Sequence, residues 1–327
     1  MRKLLSAFFA MAAIIPVFAQ GTTPEQKGEV LTFEKLASTY AKSLLNVHFD
    51  ENGELQYVKP DDAKDVPAAT MGKRLKGIAS ADKEWRAVNE GDKLFVVKGE
   101  GDNEIRQEVS DNSEGDIVWG QSVHRNEFGI NGGIFWSESG HKLAFYRMDQ
   151  SMVGTYPLVQ SDDREATVKY VRYPMAGMTS HQVTLGIYDP DTKKTVYLKT
   201  NEKVSDSTKE QAEKGLNDPE HYLTCVSWRP DGKQIYIAEL NRAQNFMALN
   251  AYDAESGEYV ETLFTEESEK YVEPQNPLYF LPGNNDAFIW QSQRDGWNHL
   301  YLYDLRKKTC SQITSGDLLV TNLYGSD

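Results

Sequence analysis

The sequence predicts an all-β fold, and three observations predict it. Aromatic residues make up 11% of the chain, with 17 Tyr and 6 Trp, and such side chains suit a pleated, half-buried surface. From about residue 85, short apolar runs alternate with turns rich in Gly, Pro, Asp and Asn. Two local patterns also recur in alternation. The first is an aromatic strand end, a polar turn and an apolar strand: Trp136 to Phe145, Trp228 to Ile237, and a looser copy from Phe280 to Trp290. The second is a strand ending in Tyr-Asp: Tyr188-Asp189, Tyr252-Asp253 and Tyr303-Asp304. Their intervals fit units of roughly 40–50 residues with several strands each, the signature of a β-propeller of four-stranded blades. The interval from Trp136 to Trp228 is about twice as long and is expected to hold two units.

In chain order, Arg2-Lys3, the apolar run Leu4 to Val17 and the small-residue site at Val17-Phe18-Ala19 read as a signal peptide over residues 1–19. The apolar run is too short to span a bilayer, and no later stretch is apolar enough to do so. The mature chain is therefore expected to be exported, periplasmic or extracellular, after cleavage near Ala19. Phe33, Leu36, Tyr40 and Leu44 form a helical stripe, with Thr32 as N-cap and Glu34 in the first turn, so a short N-terminal helix is expected over residues 32–45. Residues 20–89 are expected to hold this helix and the first blade or blades, and residues 90–327 the body of the propeller.

Lys93 to Val97 reads as a strand, Gly99 to Asn103 as a turn and Asp116 to Trp119 as another strand. The polar, Gly-rich stretch Val123 to Gly133 then leads into a hairpin made by Phe135-Trp136, the turn Ser139-Gly140 and Leu143 to Tyr146. The Gly132-Gly133 pair lets the backbone take positive φ or pass close to a ligand. Glu127 is the carboxylate of this loop, placed where a scaffold can hold a ligand-reading side chain. Asn201 to Asp218 is polar, with a short surface helix expected near Thr208 to Lys214.

A net charge of −14 argues against nucleic acid as partner, because phosphate binding needs a basic face. The six histidines are scattered without ligand spacing, so neither a metal nor a cofactor is expected. Gly120 to His124 fails the G-x-S-x-G pattern at its last position, and no other complete nucleophile machinery is present. Export permits disulfides, but Cys225 and Cys310 are expected to be unpaired, with Cys225 buried in a strand.

Several segments in order resemble the N-terminal β-propeller of dipeptidyl peptidase IV-type serine peptidases, in the prolyl oligopeptidase clan. They are Leu143 to Val153, Tyr156 to Val159, Arg172 to Gly177, Leu240 to Asn245 and Ser292 to Tyr303. The resemblance runs from about residue 90 to the last residue and is loose over residues 20–89. It implies part of an eight-bladed propeller, incomplete here and cut before a C-terminal α/β-hydrolase domain that supplies the catalytic Ser, Asp and His. It also implies a propeller that gates the substrate, a pair of adjacent glutamates that bind the peptide's free N-terminal ammonium, and a possible homodimer. Glu127 and Phe128 match the second glutamate and its following aromatic residue. The first glutamate is replaced by Asn126, whose amide oxygen can add a neutral acceptor. One carboxylate can still hold an ammonium through a charge-assisted hydrogen bond.

The resemblance thus implies the substrate-gating portion of an exported serine exopeptidase. That enzyme would release N-terminal dipeptides, with Pro or Ala before the cleaved bond, from peptides with a free N-terminus. The chain itself would carry no catalytic residue. The alternative is a free-standing exported propeller that binds or scaffolds without chemistry.

Overall fold

The computed structural model describes residues 77–111, 116–161, 164–200 and 208–325, together with the backbone of strands β1 (Leu45–Phe49) and β2 (Leu55–Val58). The expected signal peptide and most of the expected N-terminal helix lie outside the described residues. The chain divides into two compact units between Arg74 and Leu75. In the first, β1 and β2 pair antiparallel.

The second unit is a run of antiparallel sheets in chain order. Blade one comprises β3 (Ile78–Ala79), β4 (Trp85–Glu90), β5 (Lys93–Lys98) and β6 (Ile105–Glu108). It straddles residue 90, and the compact unit begins upstream of it. Blade two comprises β7 (Ile117–Trp119), β8 (Ile134–Trp136) and β9 (Leu143–Asp149), then, past a separate hairpin of β10 (Thr155–Gln160) and β11 (Thr167–Arg172), β12 (Gln182–Asp189) and β13 (Lys194–Tyr197). Helix α1 (Lys209–Glu213) leads to blade three: β14 (Tyr222–Trp228), β15 (Gln234–Leu240), β16 (Phe246–Asp253) and β17 (Tyr259–Glu267). Blade four comprises β18 (Tyr279–Phe280), β19 (Ala287–Ser292), β20 (His299–Asp304) and β21 (Thr309–Gln312).

The sequence repeats are blade parts. Trp136, Trp228 and Phe280 end the first strand of a blade or its equivalent, and the matching turns lead into β9, β15 and β19. In two of these turns one side chain closes the loop: Asp231 Oδ1 accepts the Lys233 N–H (3.0 Å) and Asn284 Oδ1 the Asp286 N–H (2.9 Å). The Tyr-Asp copies end β12, β16 and β20. Each Asp accepts two backbone N–H groups in the turn to the last strand, as Asp253 Oδ1 does from Glu255 and Ser256 at 3.1 and 2.9 Å. Asp189 and Asp304 repeat the arrangement. These are local side-chain turns, which is why they leave a mark in the sequence.

The long interval after Trp136 holds one blade, not two. Its extra length is the β10–β11 hairpin and the linker that carries α1. The hairpin has the local chemistry of strand and turn, so pattern alone does not tell this insertion from a blade. Nor is α1 only a surface helix: Gln211 is buried, and its Nε2 donates to Thr262 Oγ1 at 2.5 Å.

Packing between blades follows the two-residue period of a strand. Along β9, Leu143 and Phe145 join Trp85, Leu94 and Val96 of blade one, while Ala144 and Tyr146 join Leu223, Ile235 and Ile237 of blade three. Along β15, Ile235 and Ile237 face blade two, while Tyr236, Ala238 and Leu240 pack with Phe288, Trp290 and Tyr303 of blade four. Strands buried on both faces read as continuous apolar runs. Both cysteines are free, with Cys225 buried and Cys310 exposed. Among the described residues no helix is long and apolar enough to cross a membrane.

Candidate functional site

The first-strand position of blade two is broken, and the break carries Glu127. β7 pairs with the second half of β9 and β8 with its first half. Between them the chain leaves the sheet at Gly120 and returns at Gly133. Both ends are pinned on one residue: Gly120 N–H donates to the Tyr146 carbonyl (2.7 Å), and Tyr146 N–H donates to the Gly133 carbonyl (3.0 Å). A Cβ on Gly133 would stand 2.1 Å from the Gln121 carbonyl oxygen. The close approach that requires Gly133 is therefore to the loop's own backbone. Gly132 has nothing within 4 Å of an added Cβ, and neither residue of the pair takes positive φ.

The excursion is conformationally costly. His124, Arg125, Asn126 and Phe128 all take left-handed φ, at 49°, 57°, 62° and 54°. For non-glycine residues each costs about 1 kcal/mol or more and persists only where surroundings over-determine it. Those surroundings come largely from blade three. Phe128 is buried against Tyr222, with ring centroids 4.9 Å apart, and Thr224 Oγ1 donates to the Phe128 carbonyl at 2.9 Å. Gly129, at φ 70°, lies so close to the Gln275 carbonyl that a Cβ would sit 1.9 Å from its oxygen. The Arg125 guanidinium lies 4.3 Å from the ring centre of Tyr173, just past β11. Asn126 Oδ1 accepts the Ser122 hydroxyl.

Beneath the turn lies a histidine cluster. His124, His181 and His221 are all buried. The Leu223 N–H donates to His124 Nε2 (3.2 Å), so His124 Nδ1 carries the proton and donates to His181 Nε2 (3.1 Å). The His124 backbone N–H points at that same His181 nitrogen (3.3 Å). Burial holds His124 well below the ordinary histidine range. Burial, then the Arg242 and Arg125 guanidinium groups, push His181 down to about 4. Both rings are neutral at pH 7. Arg242 donates to the Tyr222 hydroxyl and stands 3.7 Å from Glu220.

Glu127 is exposed on this anchored turn. Its N–H donates to the His124 carbonyl (3.1 Å) and its carbonyl accepts the Ile130 N–H (3.1 Å), while its carboxylate has no partner among the described residues. A fixed, unpaired carboxylate is suited to a cation or ammonium. Asn126 stands beside it with its oxygen already engaged by Ser122, which leaves one lone pair for a ligand. Sequence reasoning missed Tyr173, His181, His221 and Arg242. Tyr173 and Arg242 lie in segments that carry the family resemblance, but nothing local places any of the four at the turn, because they reach it from other elements.

The family model for the dipeptidyl peptidase IV (DPP IV) N-terminal region matches residues 40–327. The chain belongs to this family. Among solved structures, it is similar to a Bacteroides ovatus protein assigned as a dipeptidyl aminopeptidase IV. That match has 36% identity and a TM-score of 0.62, and covers 84% of this chain and 45% of the other. Porphyromonas gingivalis dipeptidyl peptidase 4 is similar at 25% identity and TM-score 0.63, over 76% of this chain and 34% of that one. The probable dipeptidyl-aminopeptidase B of Pyrenophora tritici-repentis is 24% identical over 194 residues, covering 53% of this chain and 21% of the relative. That of Phaeosphaeria nodorum is 25% identical over 213 residues, covering 58% of this chain and 22% of the relative. The chain thus spans about a fifth of these curated relatives and under half of the solved ones. As a DPP IV N-terminal region, it has a propeller's run of blades.

Proposed function

We propose that this chain is the substrate-gating propeller portion of an exported serine exopeptidase that releases N-terminal dipeptides, and that Glu127 receives the peptide's N-terminal ammonium. The observation that carries the reading is an exposed, unpaired carboxylate held on a backbone that four left-handed residues make costly. Asn126 contributes one neutral acceptor. The attraction is weaker than with two carboxylates, so selection for dipeptide length is looser. The Ser, Asp and His of the acyl-enzyme chemistry would come from a C-terminal hydrolase domain. The chain alone binds peptide weakly and does not hydrolyse it.

Calorimetry with the tripeptide Ala-Pro-Ala, free or N-acetylated, tests this. The free amine is expected to bind and the acetylated form not to. Glu127→Gln is expected to lower affinity about 10–100-fold, the worth of a hydrogen bond to a charged group. Equal binding of both peptides to the wild-type chain would sink the assignment.

We place a homodimer contact on the β10–β11 hairpin. Both strands are largely exposed, with Val159 and Tyr170 at 68% and 66% exposure and Leu158 and Val168 beside them. Two free strand edges and apolar side chains favour association with a second copy. Light scattering is expected to give a dimer for wild type and a monomer for Tyr170→Lys. A wild-type monomer at tens of micromolar would exclude this contact.

A further inference from the structure

The turn that carries Glu127 is closed by a pair of rings that work in one protonation state only. His181 Nε2 receives two donors, the backbone N–H and the Nδ1–H of His124, while His124 Nε2 receives the Leu223 N–H. A proton added at either acceptor nitrogen sets a donor against a donor. Protonated His181 loses its hold on the first left-handed residue of the turn. Protonated His124 loses its bond to the Leu223 N–H of blade three.

We propose that the His124–His181 pair positions the Glu127 turn and releases it on acidification, so that peptide capture is switched off by acid. The capture half rests on the reading of Glu127 given above; the positioning half stands on geometry alone. Both are positioning residues and touch no substrate.

The groups facing the pair favour this behaviour. Arg125 comes from the turn itself and Arg242 from the β15–β16 connection, and both oppose a proton on His181. His221 and Arg242 oppose one on His124, and the Tyr222 ring meets it edge-on at 5.0 Å. The nearby carboxylates have other partners: Glu220 faces Arg242, and Glu239 lies 3.8 Å from His221 and accepts from Asn250 and Tyr252. Glu127 points to solvent. In a released turn both rings would titrate near the ordinary value of 6.5. The released turn then binds more protons than the closed one. The preference for the closed turn is complete above that value and falls about tenfold per pH unit per ring below it. For His181 the fall ends near pH 4, where the closed state also takes up its proton.

The test is NMR of the full chain, following the histidine Cε1–H signals and the amides of residues 125–128, with Ala-Pro-Ala binding measured alongside. The turn amides are expected to move with the rings in one step on acidification. His181→Gln keeps an acceptor oxygen without titrating, and should hold the turn closed to lower pH with affinity at pH 7 within about threefold of wild type. His181→Leu removes the acceptor and should lower affinity at pH 7 about tenfold or more. Ring titration that leaves the turn amides unmoved would overturn the inference. So would an acid profile for His181→Gln identical to wild type. If wild type binds no peptide while the turn amides still follow the rings, the positioning role stands and the reading of Glu127 falls.

Discussion

Glu239→Ala is expected to destabilise the propeller by about 3–5 kcal/mol, the range for breaking a buried charge network. The Glu239 side chain has no solvent exposure. Its Oε1 accepts from Tyr252 (2.5 Å) and from Asn250 Nδ2 (2.9 Å), which also donates to Gln211 of α1 (3.2 Å). Burial, then the Glu239 carboxylate, push the Tyr252 hydroxyl well above its ordinary range, so it remains a donor at any working pH. Truncation leaves two buried donors short of an acceptor and opens a cavity. Glu239→Gln retains an acceptor oxygen and is expected to cost about 1–2 kcal/mol. Denaturant unfolding followed by tryptophan fluorescence measures both. A loss for Glu239→Ala within 1 kcal/mol or so would mean that the carboxylate is solvated and the network contributes little.

Gly129→Ala is expected to cost about 2–3 kcal/mol and to lower affinity for a free-amine peptide more than about tenfold. Two effects add at this position. The φ of 70° disfavours any Cβ, and the Cβ would lie 1.9 Å from the carbonyl oxygen of Gln275. That neighbour is backbone and cannot rotate away. Either the 272–278 connection moves or the turn lifts off blade three and takes Glu127 with it. Gly132→Ala is the control: nothing lies within 4 Å of its Cβ, and a change within about 0.5 kcal/mol is expected. Equal effects at the two glycines would refute the clamp by Gln275. Normal affinity in a destabilised Gly129→Ala would separate the clamp from the position of Glu127.

The repeat was legible because its carriers are short-range. Asp253 acts on N–H groups two and three residues ahead, and Asp189 and Asp304 do the same. The double-faced burial of β9 and β15 shows as unbroken apolar runs. The interval after Trp136 is long enough for two blades, and length alone does not show that the exposed β10–β11 hairpin is an insertion rather than part of a second blade. The placement of Glu127 and Phe128 on a loop that leads into a hairpin was legible. Of the Gly132-Gly133 pair only Gly133 needs to be glycine, for its approach to Gln121, while positive φ and the contact with Gln275 belong to Gly129, which no local pattern marks.

Hydrophobic alternation and side-chain turns act over a few residues, so the strand-and-turn grammar, the propeller class and the family resemblance can be read from the chain before it folds. Tertiary structure alone decided what supports the carboxylate. His124 meets His181 across 57 positions and Leu223 across 99. Arg125 meets Tyr173 at the root of an inserted hairpin. These contacts exist because blades two and three pack face to face, and no local pattern encodes which side chains that packing brings into register.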